Sequence, residues 1–209
     1  MKSLSTRTFI AAATLATLAA CGSNDPTAEM PLQATLIGRY ALNMTEGMSE
    51  IVAMHTASNS VFITVDTADA PTSFQRISLR NLGGTALANP STASNLESGT
   101  RTQVATDVND ANFTAGGVQT LAISGNLLAI AVKATPKINN GVVVFYRLDD
   151  QGNATFLKSV TVGSLPDGMA FSPDGSKLVI ANEGEIDGDE NFVLAGDKSN
   201  DPLGTISII

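Results

Sequence analysis

The residues of this chain best suited to chemistry are carboxylates, and they fall in two places. The first is the run Asn182-Glu-Gly-Glu-Ile-Asp-Gly-Asp-Glu-Asn191. Carboxylates this close repel one another unless a cation lies among them, and a hard divalent ion such as calcium prefers several oxygen ligands. Asp187, Asp189 and Asn191 stand at the first three ligand positions of an EF-hand loop, but Phe192 replaces the glycine at its sixth place and Lys198 the glutamate at its twelfth. A standard EF-hand is therefore excluded. Two readings stand: a looser calcium loop built from Asp187, Asp189 and Asn191 with Glu183 or Glu185, and a solvated acidic loop. The second place is a set of three polar residues, Glu50, Gln119 and Asp167, each three positions before an alanine inside an apolar run. Glu50 and Asp167 can serve as an acid and base pair only if their surroundings separate their pKa values. His55 is the only histidine, which rules out a multi-histidine zinc or iron site, and its place at a strand end favours a structural role. No G-x-S-x-G elbow, P-loop or dinucleotide fingerprint is present.

The frame around those three residues gives the elements that must position them. Glu50-Ile-Val-Ala-Met54, Gln119-Thr-Leu-Ala-Ile123 and Asp167-Gly-Met-Ala-Phe171 read as strand starts. A second apolar run follows each after a tight turn: Val61-Phe-Ile-Thr-Val65, Leu127-Leu-Ala-Ile-Ala-Val132 and Lys177-Leu-Val-Ile-Ala181. Third strands open at Thr72, Gly141 and Gly204; the spacing from first to third is 22 residues in two copies (50 to 72, 119 to 141) and 37 in the last (167 to 204). Equal spacing with one lengthened loop marks a repeated supersecondary unit. Ser172-Pro-Asp-Gly175 supplies a hairpin turn, with proline presetting φ and glycine free to take a positive φ, and Ser58-Asn-Ser60 and Ser124-Gly-Asn126 do the same work. The expected fold is all-β: an incomplete β-propeller of about two blades and part of a third. Phe156–Val162 is expected as the outer strand of the second blade, and Leu32–Tyr40 as an outer strand ahead of the first. Segment 81–117, rich in Gly, Ser, Thr, Asn and Ala, reads as an insertion with at most one strand, near Thr102–Val108. The chain ends on Ile209 inside an apolar strand, as expected of the N-terminal portion of a longer protein.

Topology then predicts a site. In an antiparallel blade the start of the first strand and the end of the second lie on one face of the ring. Glu50, Gln119 and Asp167 should accordingly sit near Asp66, Lys133 and Glu183 around one channel mouth, where the acidic loop also emerges.

The first 20 residues read as an export signal rather than as part of the fold. Lys2 and Arg7 form a basic start, and Phe9–Leu18 is an apolar stretch too short to span a bilayer. Leu18-Ala19-Ala20-Cys21 matches a bacterial lipoprotein signal, with Cys21 the lipidated residue and 21–31 a flexible tether ahead of the domain over 32–209. Several acyl chains anchor stably where one is marginal. Gly22 after the cysteine favours the outer membrane in a two-membrane bacterium. Cys21 is the only cysteine, so no disulfide forms within the chain. The formal charge is −8, and −10 once Lys2 and Arg7 leave with the signal. An acidic chain without a basic patch argues against nucleic acid as a partner.

Ile37-Gly-Arg-Tyr40, Ser49–His55, Gly117–Ser124, Gly141–Tyr146, Thr161–Glu185 and the closing GTISII carry a family likeness. They resemble the choice-of-anchor I domain, an exported β-propeller found on proteins attached in different ways. Its relatives are labelled alkaline phosphatase, phytase-like esterase or biomineralisation surface glycoprotein. SPDG before a strand is shared more widely, with lactonase-like and YVTN-like blades. The resemblance implies a membrane-anchored extracytoplasmic propeller, and two activities follow from it and from the acidic residues. One is a binding module for a small molecule or protein, with calcium as a candidate cofactor. The other is a metal-assisted phosphoester hydrolase completed by further blades.

Overall fold

The computed structural model describes residues 33–42, 47–67, 72–186 and 201–209. Cys21, the export signal, the tether, Leu32 and the loop residues Asp187, Asp189 and Asn191 lie outside them. Among the described residues twelve strands form three antiparallel sheets, and there is no helix. The first sheet holds β1 (Gly47–Met48), β2 (Val52–His55), β3 (Ser60–Thr67), β4 (Ser73–Ser78) and β5 (Ser98–Gln103). β1 and β2 pair along the same edge of β3, Met48 opposite Asp66 and Val52 opposite Ile63, and so act as one interrupted strand. The second sheet runs in chain order through β6 (Ala115–Ser124), β7 (Leu127–Ala134), β8 (Asn140–Leu148) and β9 (Ala154–Ser164). The third holds β10 (Pro166–Phe171), β11 (Leu178–Asn182) and β12 (Thr205–Ile208). These meanders are consistent with two blades of a β-propeller and part of a third.

Alternation explains how the sheets stack. In β7, Leu128, Ile130 and Val132 point to the first sheet and join Phe62, Phe74, Val118, Leu121 and Tyr146 in one buried cluster. Ala129 and Ala131 point the other way and meet Leu178 and Ile180 of the third sheet. Period-two side chains thus give the two central strands of the middle sheet two apolar faces, which is why the runs 127–132 and 142–145 lack polar positions. The first sheet's other face buries Ile63, Val65 and Ile77. On the third sheet, Val179, Ile206 and Ile208 are exposed.

The turns hold as expected. Asn59, Gly125 and Gly175 all take positive φ, at 46°, 54° and 70°. In the third hairpin Asp174 accepts from Ser172 Oγ, Ser176 N and Ser176 Oγ. Those bonds, the Ser172 hydroxyl first, hold its carboxyl down to about 2 from an ordinary 3.8. A depressed folded pKa gives stability that is complete above 3.8 and lost as pH falls through about 2. Asp174→Ala should therefore lower Tm at pH 7, and the gap to wild type should close in thermal melts taken between pH 4 and pH 2. A gap that does not change with pH would refute the charge-based account.

Three expectations are corrected. Residues 33–40 form no strand. Their backbone bonds go to the insertion loop: Leu87 N donates to Leu36 O, Asn95 N to Arg39 O, and Asn95 Nδ2 to Ile37 O. Tyr40 and Leu42 then pack on Ile63, Val65 and Ile77, so the segment covers the first sheet's outer face instead of extending an edge. The strand expected near Thr102–Val108 is β5, at Ser98–Gln103, paired with β4 through Ser73 and Gln103. Its sequence SGTRTQ has no apolar alternation, which is what a solvated edge strand permits. Gln119 is not a strand start, because β6 begins four residues earlier at Ala115.

Candidate functional site

Glu50, Gln119 and Asp167 share a backbone feature that alternation alone does not reveal. The register slips by one residue at Gln119, between Val118 and Thr120, and at Asp167, between Pro166 and Gly168. In the first sheet, 49–51 face only 64 and 65, so the extra residue falls beside Glu50 there too. Each copy thus carries a β-bulge at one point of the frame, and a bulge re-aims the side chain it displaces. Thr64 stabilises the first of them: its Oγ1 accepts the amides of Glu50 and Ile51 at 3.4 and 3.3 Å. Thr64 is only 3% exposed, and it is the polar interruption of the run Val61–Val65.

Between the first and second sheets these residues line a cavity of about 210 Å³, with Glu50, Thr64, Asp66, Val118, Gln119 and Lys133 on its walls. Glu50 and Asp66 come from the first sheet and Gln119 and Lys133 from the second, which is the gathering that topology predicted. Burial pushes the Asp66 carboxyl up, Lys133 draws it down, and Glu50 adds to the rise. A carboxylate beside a second carboxylate in a partly dry site favours a cationic neighbour. Gln119 Nε2 donates to Val118 O at 3.1 Å, leaving its carbonyl oxygen as an acceptor.

The predicted set is not brought together whole. Asp167 occupies the equivalent bulge of the third sheet, but it is exposed and does not line the cavity. Glu183 is exposed, and its amide donates to Leu165 O. Glu185 pairs with Lys137 at 2.8 Å, a surface ion pair of small energetic weight. Among the described residues no three His, Cys, Asp or Glu side chains group so as to hold a metal ion. His55 is 1% exposed, with Nδ1 2.8 Å from Ser58 Oγ and Nε2 3.2 Å from Asn126 Oδ1. It ties the hairpin turns of the first two sheets together, the structural role expected. Thr64 and Val118 complete the cavity walls and were not singled out by residue type. The one signal for Thr64 was a hydroxyl inside an otherwise apolar run.

Among the described residues no helix is long and apolar enough to cross a membrane. No curated protein and no solved structure matches the chain. The model of the choice-of-anchor I domain matches residues 50–209, from the first bulge residue through the last strand. With 160 of 209 residues inside that match, the chain belongs to the choice-of-anchor I domain family and carries an extracytoplasmic surface domain.

Proposed function

We propose that this protein is a lipid-anchored extracytoplasmic binding module, held at a membrane surface through Cys21, whose ligand enters the cavity between the first and second sheets. The observation that carries the reading is the convergence of Glu50, Asp66, Gln119 and Lys133 on one concave surface, with bulges setting two of the four. Polar groups that converge in a cleft can fix the orientation of a bound small molecule. The family match supports the extracytoplasmic address, and the Leu18–Cys21 junction supports the anchor. Calcium at the acidic loop, through Asp187, Asp189 and Asn191, is part of the proposal as a stabilising cofactor.

Three measurements on the full chain test it together. Cys21→Ser should move the protein from the membrane fraction to the soluble one, and unchanged fractionation would refute the anchor. Calcium should raise Tm, because a ligand that binds only the folded state stabilises it by mass action. Asp187→Ala with Asp189→Ala should remove most of that rise. Phosphomonoester hydrolysis should stay at background with and without calcium; calcium-dependent turnover lost in the double variant would replace this reading with a hydrolase.

A further inference from the structure

The cavity has a charge pattern that selects among ligands. Its first-sheet wall carries two carboxylates, Glu50 and Asp66; its second-sheet wall carries the ammonium of Lys133 and the amide of Gln119. Lys133 forms no close ion pair with either carboxylate among the described residues, so the opposite charges line one cavity without direct contact. Resting on the ligand-site reading above, we infer that the cavity binds a small zwitterion, its ammonium held by Glu50 and Asp66 and its carboxylate drawn to Lys133.

A ligand with one charge of each sign satisfies both walls. A lone anion attracted to Lys133 meets two carboxylates, and a lone cation meets the Lys133 ammonium, so either forfeits part of what it gains. The remaining polar groups add hydrogen-bond donors and acceptors for the two poles of such a ligand. Thr64 Oγ1 already accepts two amides, which leaves its hydroxyl proton to give to a carboxylate. One N–H of the Gln119 side-chain amide goes to Val118 O, which leaves its second N–H to give to a carboxylate and its carbonyl oxygen to accept from an ammonium. The cavity, of about 210 Å³, has room for a small molecule. A short aminocarboxylate fits within that space. Val118 is the apolar residue of the lining, enough to face a short methylene spacer.

Titration calorimetry at pH 7 with glycine, β-alanine and 4-aminobutanoate tests the inference, using propionate and propylamine as partners that lack one charge each. At least one of the three aminocarboxylates should bind saturably at one site, with propionate and propylamine at least tenfold weaker. Asp66→Asn and Lys133→Met should each weaken that binding tenfold or more while keeping the unliganded melt cooperative. Propionate binding as tightly would make this an anion site, and propylamine binding as tightly a cation site; either overturns the zwitterion. Inorganic phosphate or a neutral sugar that binds in place of the aminocarboxylates, and fails to bind Asp66→Asn, also overturns it while leaving the ligand-site reading intact. Silence from every probe removes both.

Discussion

Phe74→Ala should cost about 3–5 kcal/mol of folding stability, the range for truncating a buried aromatic ring. Phe74 is 1% exposed and lies at the junction of the first two sheets. Its ring is 6.2 Å from Phe62 on its own sheet and 5.2 Å, edge-on, from Tyr146 of the second, which in turn meets Phe156 at 5.9 Å. Removing Phe74 breaks this row in the middle and leaves a void that strands on both sides are poorly placed to fill. Tyr146 is fixed on its far side, where its hydroxyl accepts the Ala105 amide at 2.9 Å, so it cannot swing in freely. Domains are typically stable by only about 5–15 kcal/mol, so the variant should be visibly crippled. Urea unfolding followed by fluorescence or circular dichroism measures the loss. Ile208→Ala serves as the control: Ile208 is 66% exposed and its truncation should stay within about 0.5 kcal/mol. A loss below about 1 kcal/mol at Phe74 would mean that the two sheets are not held together through this row.

Gly141→Val should be nearly as damaging, for the opposite reason. Gly141 follows the first residue of β8, where the register against β9 slips between Asn140 and Val142. A Cβ there would lie 2.6 Å from Pro166 Cδ and 2.8 Å from Val132 O. The carbonyl belongs to a buried strand and the ring opens β10, so neither neighbour can move without shifting a sheet. Overpacking of this kind costs about 1–3 kcal/mol, and a β-branched side chain against backbone belongs at the upper end. Gly83→Ala is the matched control, since nothing lies within 4 Å of its Cβ position. Thermal melts should show a clear drop for Gly141→Val and none for Gly83→Ala. Equal Tm values would contradict the close approach of the second and third sheets at Pro166.

Both variants probe how sheets meet, and the candidate site depends on the same junction. Glu50 and Asp66 reach Lys133 and Gln119 only because the clusters around Ile130 and Phe74 hold the first and second sheets side by side. A loss of packing there should therefore weaken ligand binding along with stability, whereas the exposed Ile206–Ile208 strand lies away from the cavity and should not.

The threefold meander was legible in the sequence, because it rests on local periodicity and turn chemistry. Apolar runs marked β3, β7 and β11, the turns at Asn59, Gly125 and Gly175 carried their own chemistry, and the recurring polar residue before alanine identified Glu50 and Gln119. The bulges were not legible: one extra residue in a strand changes no residue type, and it appears only as a slip between paired chains. Nor was β5, whose polar residues give no alternation, or the covering role of Tyr40 and Leu42, which depends on a face 20 or more residues away. Asp167 matches Glu50 in sequence frame yet stays outside the cavity, since the walls that enclose Glu50 come from the next sheet and Asp167 lies on the third. Local pattern determines which side chains leave the sheet; only the packing of one sheet on another decides which of them share a space.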